Sequence, residues 1–581
     1  HVRSRRQRQM CIRDSYIMAT LYSLKIENFR CIDKFEHIFK NGITCIIGRC
    51  DSGKTTILEA LSMVLSSNWK LSFYDSDFFE QNTKKPILIE VTMTNLDEKL
   101  QTKHLLSLRG IDKIGQIRDD MESDDAENFE TALTIRLQVN DDLEPNWYLY
   151  RGSDDTLITI SASDREKCGL FYISDYSERQ FSLSRGNPLY TFFKRLQEAE
   201  EDAKKDTALL NILRDAKTKI DKAVSTKFND SLKTIKKHTI NLGANIGDVE
   251  ALLDQKDFTL KENNVCLHEN AIPLRLKGKG TKRLLSIAIQ MVNTSPNGII
   301  LIDEIEQGLE PDRVKHLVKT LKGYFGYQFI FTTHSSNVVT ELEATDLYIM
   351  RNKAEAFLKI PATIAMQKCV RHSSEALFAK KIIIGEGATE VGLCRALDTN
   401  RIEKGKDSMS YLGVQILDGT GNTAVEYAKT LNDLGFKIAF LCDSDETNTN
   451  TKKQALKDIG VDIFDCEDGK AIEEQIFDNL TWVGIRKCLN YYMSEKEIDS
   501  KGLYEQIYPD KHKEYNEDWL ENDTTELRTL FGKKAKKKGW YKSVTSGVML
   551  GSEIFANIDS LNDSSHIKQM FNNLSNWIDN D

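Results

Sequence analysis

The segment Gly48-Arg49-Cys50-Asp51-Ser52-Gly53-Lys54-Thr55 constrains this chain more than any other. Its spacing is G-x-x-x-x-G-K-S/T. Thr44 to Ile47, just before it, reads as a strand. Ile57, Leu58, Leu61 and Leu65, just after it, fall on one face of a helix. Strand, glycine loop and helix together predict a phosphate cradle. The glycines let backbone N–H groups wrap the anion, the helix N-terminus adds positive potential, and Lys54 reaches the β- and γ-phosphates. Thr55 is the expected Mg²⁺ contact. Gly48, Asp51, Ser52, Gly53, Lys54, Thr55 and Thr56 are therefore the candidate nucleotide-binding residues. An ordinary glycine-rich turn would need neither flanking element.

Such a cradle works with an acid at the end of another strand. Ile299-Ile300-Leu301-Ile302 is a short run suited to a strand buried on both faces, and it ends in Asp303-Glu304. Asp303 is the expected Mg²⁺ partner and Glu304 the group that polarises the attacking water. A third strand, Gln328 to Thr332, ends in Thr333-His334-Ser335. His334 thus closes a strand at a matching end, where it would sense the γ-phosphate.

The pattern restarts after about Ala362. A strand from Lys381 to Ile384 runs into Gly385-Glu386-Gly387-Ala388-Thr389-Glu390, then a helix with Val391, Leu393, Cys394 and Leu397 as its apolar positions. One helical turn brings Glu386 and Glu390 to a common face. A later strand, Ile438 to Cys442, ends in Asp443-Ser444-Asp445, where alternation keeps the two aspartates together and turns Ser444 away. A further pair is Glu473-Glu474. Hard carboxylate oxygens without Cys or His favour Mg²⁺ or Mn²⁺ over zinc. Solvated acidic turns after strands are common, so the ordered set matters more than either motif alone.

The rest of the chain bounds the answer. Its 581 residues suit three or four domains. No apolar run is long enough for a membrane helix. Eleven cysteines without a Cys-x-x-Cys pair fit reduced thiols in a cytoplasm. A net charge of −9 argues against non-specific coating of nucleic acid but allows a local basic groove. Six lysines stand between Lys533 and Lys542, beside Trp540 and Tyr541. Further strands are expected at Pro86–Thr94, Thr131–Val139 and Trp147–Arg151, with an acidic solvated loop from Asp119 to Glu130. Tyr190 to Leu242 lacks Pro and Gly and reads as long helices, either a dimerisation arm or a charged lid. The first seventeen residues hold five arginines and no signal-peptide core. They are expected to be a spurious or disordered leader, with the protein proper starting at Met18.

The nucleotide motifs resemble the ABC-type ATPases of DNA repair and defence. That resemblance adds a D-loop at Gly308–Pro311 and a signature loop at Leu276–Arg283, where Lys277 stands in place of the family's usual serine. Glu386 with Asp443-Ser444-Asp445 resembles the Toprim signature. The two in this order are similar to the OLD (overcoming lysogenization defect) nucleases, which include the nuclease subunit of the Gabija phage-defence system. The resemblance implies an α/β fold: an ABC-type ATPase (18–189 and 243–365) interrupted by a helical dimerisation insertion (190–242), followed by a Rossmann-like Toprim nuclease domain (366–581). It implies ATP and Mg²⁺ or Mn²⁺ as cofactors. Glu390 becomes a further metal ligand, as does Glu473 or Glu474, and a C-terminal lysine lies near the scissile phosphate. Lys542 is favoured for that lysine and Lys538 is second. The implied activity is ATP-regulated DNA cleavage in anti-phage defence, by a homodimer or homotetramer, with a helicase-like partner or retron components. The rival readings are a non-nucleolytic ATPase with a vestigial Toprim fold, a topoisomerase-like enzyme and an RNA-cleaving enzyme.

Overall fold

Alternating apolar residues near the N-terminus build an antiparallel sheet. The computed structural model describes residues 19–119, 129–152, 157–174, 272–293, 298–351, 356–445, 447–509 and 515–580, with isolated positions between 215 and 269. The expected leader, most of the acidic stretch and almost all of the 190–242 segment lie outside the described residues. The chain divides into two compact units, 1–44 with 53–333, and 45–52 with 334–581.

In the first unit, β1 (Thr20–Phe29) pairs antiparallel with β2 (Ile32–Ile38) and with β4 (Ile87–Thr94). Strand β3 is Gly42–Ile47. The eight-stranded sheet runs β2-β1-β4-β7-β5-β6, with β5 (Leu108–Ile111), β6 (Ile117–Arg118) and β7 (Glu130–Val139). Strands β8 (Pro145–Leu149) and β9 (Ile158–Thr159) continue from β7. Leu24, Ile26 and Phe29 of β1 are fully buried, as their spacing requires. The strand expected at Trp147–Arg151 starts instead at Pro145, because pairing from Val139↔Pro145 to Ile135↔Leu149 sets its register. A proline is tolerated at that first position.

The first unit also holds three parallel strands, β10 (Leu170–Ile173), β13 (Ile299–Ile302) and β14 (Gln328–Thr332); β11 (His268–Glu269) and β12 (Ile272–Pro273) form a short separate pair. All four residues of β13 are fully buried, which is why the run is apolar on both faces. Helices α1 (Lys54–Val64), α2 (Lys279–Asn293) and α3 (Pro311–Lys322) accompany them. Gln328 is buried, and its amide accepts from Leu21 N–H while donating to the Leu21 and Lys40 carbonyls. One side chain thereby satisfies backbone groups that no strand partner reaches.

In the second unit Cys45–Ile47 pair in parallel with β15 (Leu347–Arg351), which also carries β16 (Ala356–Lys359). A separate four-stranded parallel sheet has the order β18-β17-β19-β20: β17 (Lys381–Gly385), β18 (Val414–Asp418), β19 (Lys437–Cys442), β20 (Asp462–Asp465). Helices α4 (Ala388–Glu403), α5 (Ala424–Asp433) and α6 (Thr447–Asp458) alternate with these strands. The chain leaves β17 toward one edge of the sheet and β19 toward the other. The crevice for a ligand therefore opens at the ends of β17 and β19.

The C-terminal helices α7 (Ile472–Asn479), α8 (Trp482–Lys496), α9 (Thr525–Lys538), α10 (Val544–Asn557) and α11 (His566–Asp579) pack on this sheet. Two close approaches are made by glycine. A Cβ on Gly392 of α4 would stand 2.6 Å from Gly547 Cα of α10, and a Cβ on Gly547 would strike the Thr389 carbonyl. Likewise a Cβ on Gly532 of α9 would stand 2.8 Å from Glu474 Cα of α7. The end of α11 is held at the start of β17, where buried Lys381 donates to the Trp577, Ile578 and Asn580 carbonyls. Buried Arg401 pairs with Asp579, which also meets Lys406; the Arg401 hydrogen bond holds the Asp579 carboxyl down at about 2.

Overpacking a crossing of this kind costs about 1–3 kcal/mol. Gly547→Ala should therefore lower the denaturant midpoint of the second unit, whereas Gly278→Ala, at a position with open space, should not. Because its pKa is lowered, Asp579 contributes stability above the ordinary carboxylate range and loses it as pH falls toward about 2. Asp579→Asn should accordingly remove part of the acid sensitivity seen in a pH–melting curve.

Candidate active site

Two sets of functional side chains form. In the first, the loop that begins at Gly48 reaches α1 through left-handed torsions at Asp51 (φ 59°) and Gly53 (φ 99°). Lys54, the first residue of α1, is buried. Thr55 Oγ1 lies 3.2 and 3.1 Å from the two carboxylate oxygens of Asp303. A hydroxyl and a carboxylate at the ends of neighbouring elements are the hard-oxygen pair that a nucleotide-bound Mg²⁺ takes.

Behind that pair is a residue with no motif of its own. Thr332 Oγ1 donates to Asp303 Oδ1 at 2.6 Å and accepts from Glu304 N–H at 2.8 Å. The acidic turn is held a second time by Arg283 of α2, which is buried and donates to the Asp303, Glu304 and Ser174 carbonyls. Glu304 adopts φ 47°, a left-handed torsion uncommon for a residue with a side chain. The two anchors sustain it. Arg283 closes the loop at Leu276–Arg283, and its guanidinium fastens the acidic turn. A Cβ on Gly280 would strike the Gly308 carbonyl, so this loop lies against the D-loop. His334 is exposed directly after β14.

The second set lies at the ends of β17 and β19. Asp443 N–H donates to Glu386 Oε2 at 3.0 Å, and Ile472 N–H of α7 donates to Asp443 Oδ1 at 2.7 Å. Glu390, in the first turn of α4, accepts from Gly387 N–H at 2.8 Å and is almost fully buried. Glu473 is completely buried, and among the described residues the Lys542 ammonium is the one group that answers its carboxylate. Its neighbour Glu474 uses Oε2 to accept from Ala471 N–H at 3.0 Å, closing the N-terminus of α7. Of the two candidates in the pair, Glu473 thus faces the cluster and Glu474 caps a helix. Desolvation pushes Asp443 and Glu390 well above the ordinary carboxylate range. Glu473 repels both, and Glu390 and Glu386 add to the effect on Asp443.

Lysines answer this negative charge. Lys542 Nζ lies 3.3 Å from Glu473 Oε1; desolvation pulls its pKa down, but Glu473, Glu390 and Asp443 carry it above the usual value. Lys536 pairs with Asp445 and lies 3.8 Å from Glu474. Lys538 is exposed at the end of α9, and among the described residues no ion pair ties it to the carboxylates. Lys536 is thus the second lysine, after Lys542, that lies against the carboxylates. Its signal in the sequence was Gly532 four residues earlier on the same helical face.

The donor set suits a hard divalent cation. It is all oxygen, it includes the fully buried carboxylate of Glu473, and its mutual repulsion would be relieved by positive charge. Among the described residues, no three His, Cys, Asp or Glu side chains already form a metal cage. Lys536 and Lys542 hold Asp445 and Glu473 instead.

Within the second unit, Arg49 of the loop lies beside the parallel sheet. A Cβ on Gly413, the residue before β18, would stand 2.5 Å from Arg49 Nη1 of the phosphate loop. Gly413 accepts from Lys380 N–H at 2.8 Å, immediately before β17. A cavity of about 290 Å³ beside them is lined by Gly48–Ser52, Ile349–Arg351 and Lys380, among others.

Comparison with known proteins agrees with this division. Residues 43–340 match the family model described as an AAA domain, putative AbiEii toxin, type IV TA system. Residues 377–445 match the overcoming lysogenization defect protein-like TOPRIM domain. No curated protein matches the chain. Similar solved structures include the Smc head domain with an extended coiled coil bound to the C-terminal domain of ScpA, from Pyrococcus furiosus. It is 15% identical, covers 60% of this chain and 98% of its own, and has a TM-score of 0.35. Another is the recombination mediator protein RecF of the RecFOR pathway, 14% identical over 58% of this chain and 98% of its own, with a TM-score of 0.31. No helix among the described residues is long and apolar enough to cross a membrane.

Replacing Thr332 by Val leaves Glu304 N–H without its acceptor and takes one of its donors from Asp303. At about 1–3 kcal/mol for such a loss, ATP turnover should fall roughly tenfold or more. Nucleotide affinity, measured by a fluorescent analogue, should change far less, because Lys54 and the loop are untouched.

Proposed function

Because the chain belongs to this AAA-domain family and carries an OLD-like Toprim domain, we propose that it is an ATP-regulated, divalent-metal-dependent DNA endonuclease of the OLD type. The observation that supports this reading most is the fully buried Glu473 set among Glu390 and Asp443, with the Lys542 ammonium beside it. Asp443, Glu386, Glu390, Asp445 and Glu473 would hold one or two Mg²⁺ or Mn²⁺ ions. A metal bound there supplies an activated water and stabilises charge on the scissile phosphate.

The chain's own groups do the rest. Lys542, held close to Glu473, presents its ammonium to a phosphate oxygen and balances charge as it develops. Lys536 keeps Asp445 turned toward the same crevice. Lys533, Lys537 and Lys538 are exposed along α9 and would meet the DNA backbone. Tyr541 is buried and its hydroxyl donates to the Cys488 carbonyl at 3.0 Å, so the tyrosine nearest the cluster is committed to packing and not to covalent chemistry. In the nucleotide set, Lys54 binds phosphate, Thr55 and Asp303 hold Mg²⁺, Glu304 polarises water and His334 senses the γ-phosphate. The Arg49–Gly413 contact is the route by which nucleotide in the loop bears on β17, which carries Glu386 at its other end. This reading brings with it a cytoplasmic role in bacterial anti-phage defence, a homodimer or homotetramer, and a helicase-like partner or retron components.

Supercoiled plasmid with Mg²⁺ or Mn²⁺ tests the activity. Wild-type protein should nick or linearise it, Asp443→Ala should lose about a hundredfold or more of that rate, and labelled RNA should remain intact. Plasmid left intact by the wild type would favour a vestigial Toprim fold. For regulation, Lys54→Ala should abolish the effect of ATP on cleavage, and Arg49→Ala should weaken that effect while leaving ATP bound. If Arg49→Ala responds to ATP like the wild type, the route through Gly413 is wrong.

A further inference from the structure

The Asp443-Ser444-Asp445 turn is gripped from behind by a lysine outside every motif. Lys453, on α6, is only 6% exposed. Its ammonium donates to the Asp443 carbonyl at 2.7 Å, to Ser444 Oγ at 3.0 Å and to Asp465 Oδ2 at 3.2 Å. An ammonium has three donors, and all three are used. Ser444 is shaped to receive one of them, because its own hydroxyl hydrogen goes to the Cys466 carbonyl at 2.6 Å. Asp465 ends β20 and is the register partner of Cys442, the last residue of β19. Lys453 thus ties the ends of two adjacent strands to the turn that follows one of them.

The rest of the turn is equally constrained. Ser444 N–H donates to the Lys470 carbonyl, and the Ser444 carbonyl accepts from Gly469 N–H and from Asn450 Nδ2. With Ile472 N–H on Asp443 Oδ1, Asp443 N–H on Glu386 and Lys453 on the Asp443 carbonyl, three hydrogen bonds fix Asp443 and so the direction of its carboxylate. Burying an ammonium costs several kcal/mol before its partners compensate. Its loss would leave the Asp443 carbonyl, Ser444 Oγ and the Asp465 carboxylate without this donor. What the ammonium adds is orientation of the turn.

We propose that Lys453 is a positioning residue for the metal site: it does not touch the cation, and it fixes the backbone from which Asp443 and Asp445 reach for it. The proposal rests on the reading of those aspartates as metal ligands. Residues that orient metal ligands typically account for about 10–100-fold in affinity.

The test is Mn²⁺ binding to the purified full chain without DNA, followed by the electron paramagnetic resonance signal of free Mn²⁺. Circular dichroism and melting in EDTA report the fold. Lys453→Met should weaken Mn²⁺ binding about 10–100-fold while ATP affinity at the phosphate loop stays as in the wild type. Folded Lys453→Met with wild-type Mn²⁺ affinity overturns the proposal. If that variant does not fold, Lys453→Arg replaces it. The arginine keeps the charge beside Asp465, but its planar donors cannot converge on three acceptors around one nitrogen. Weakened binding then supports the proposal, and wild-type affinity overturns it. A wild-type protein that binds no Mn²⁺ refutes the metal reading itself, a result distinct from either of these.

Discussion

Two backbones in contact set the geometry of the carboxylate cluster. Gly392 of α4 and Gly547 of α10 leave room for no Cβ between them, and Thr389 Oγ1 donates across the crossing to the Tyr541 carbonyl at 2.9 Å. The residue after Tyr541 is Lys542, and the residue after Thr389 is Glu390. The crossing therefore carries a lysine and a glutamate to the same place. Gly532 does the same for α9 against α7, one helical turn before Lys536. Without these approaches the C-terminal helices could still bury their apolar faces, but the lysines would stand away from the acids.

That placement answers an electrostatic problem. Several carboxylates sit at the ends of adjacent parallel strands, partly or wholly withdrawn from water. Withdrawal and mutual repulsion raise Asp443 and Glu390. The backbone N–H groups of Ile472 and Gly387 offset part of this, and Lys536 and Lys542 offset more. The cluster is left short of positive charge, a state that favours a divalent cation and a polyanionic ligand over a neutral one. The nucleotide set follows a different plan. Its acids are few, and its precision comes from Thr332 and Arg283 holding one turn.

Much of this was legible in the sequence, for reasons that can be named. Fully buried parallel strands write themselves as apolar runs, so β13, β14 and β19 and the polar residues after them could be located within a residue or so. The phosphate loop and the ordered acids carried the resemblance from which both folds, ABC-type ATPase and Toprim, were expected. Supporting residues were not legible. Thr332, Lys453 and Arg283 act through backbone atoms of distant segments, and no local spacing announces that. The choice among six lysines depended on helix phase and on where a glycine lets α9 approach, which singled out Lys536 over Lys538. Glu473 and Glu474 were indistinguishable as neighbours; a capping hydrogen bond separates them.

The account stands or falls on what occupies the space among Glu390, Asp443 and Glu473. Crystals grown with Mn²⁺ and measured at the manganese absorption edge would show it directly. The account predicts an anomalous peak within coordination distance of carboxylate oxygens of Asp443 and Glu473, about 2.0–2.6 Å for hard cations with oxygen ligands. It also predicts loss of that peak in Glu473→Gln crystals. Manganese bound only at Thr55 and Asp303, with the Toprim carboxylates still held by Lys536 and Lys542, would contradict it.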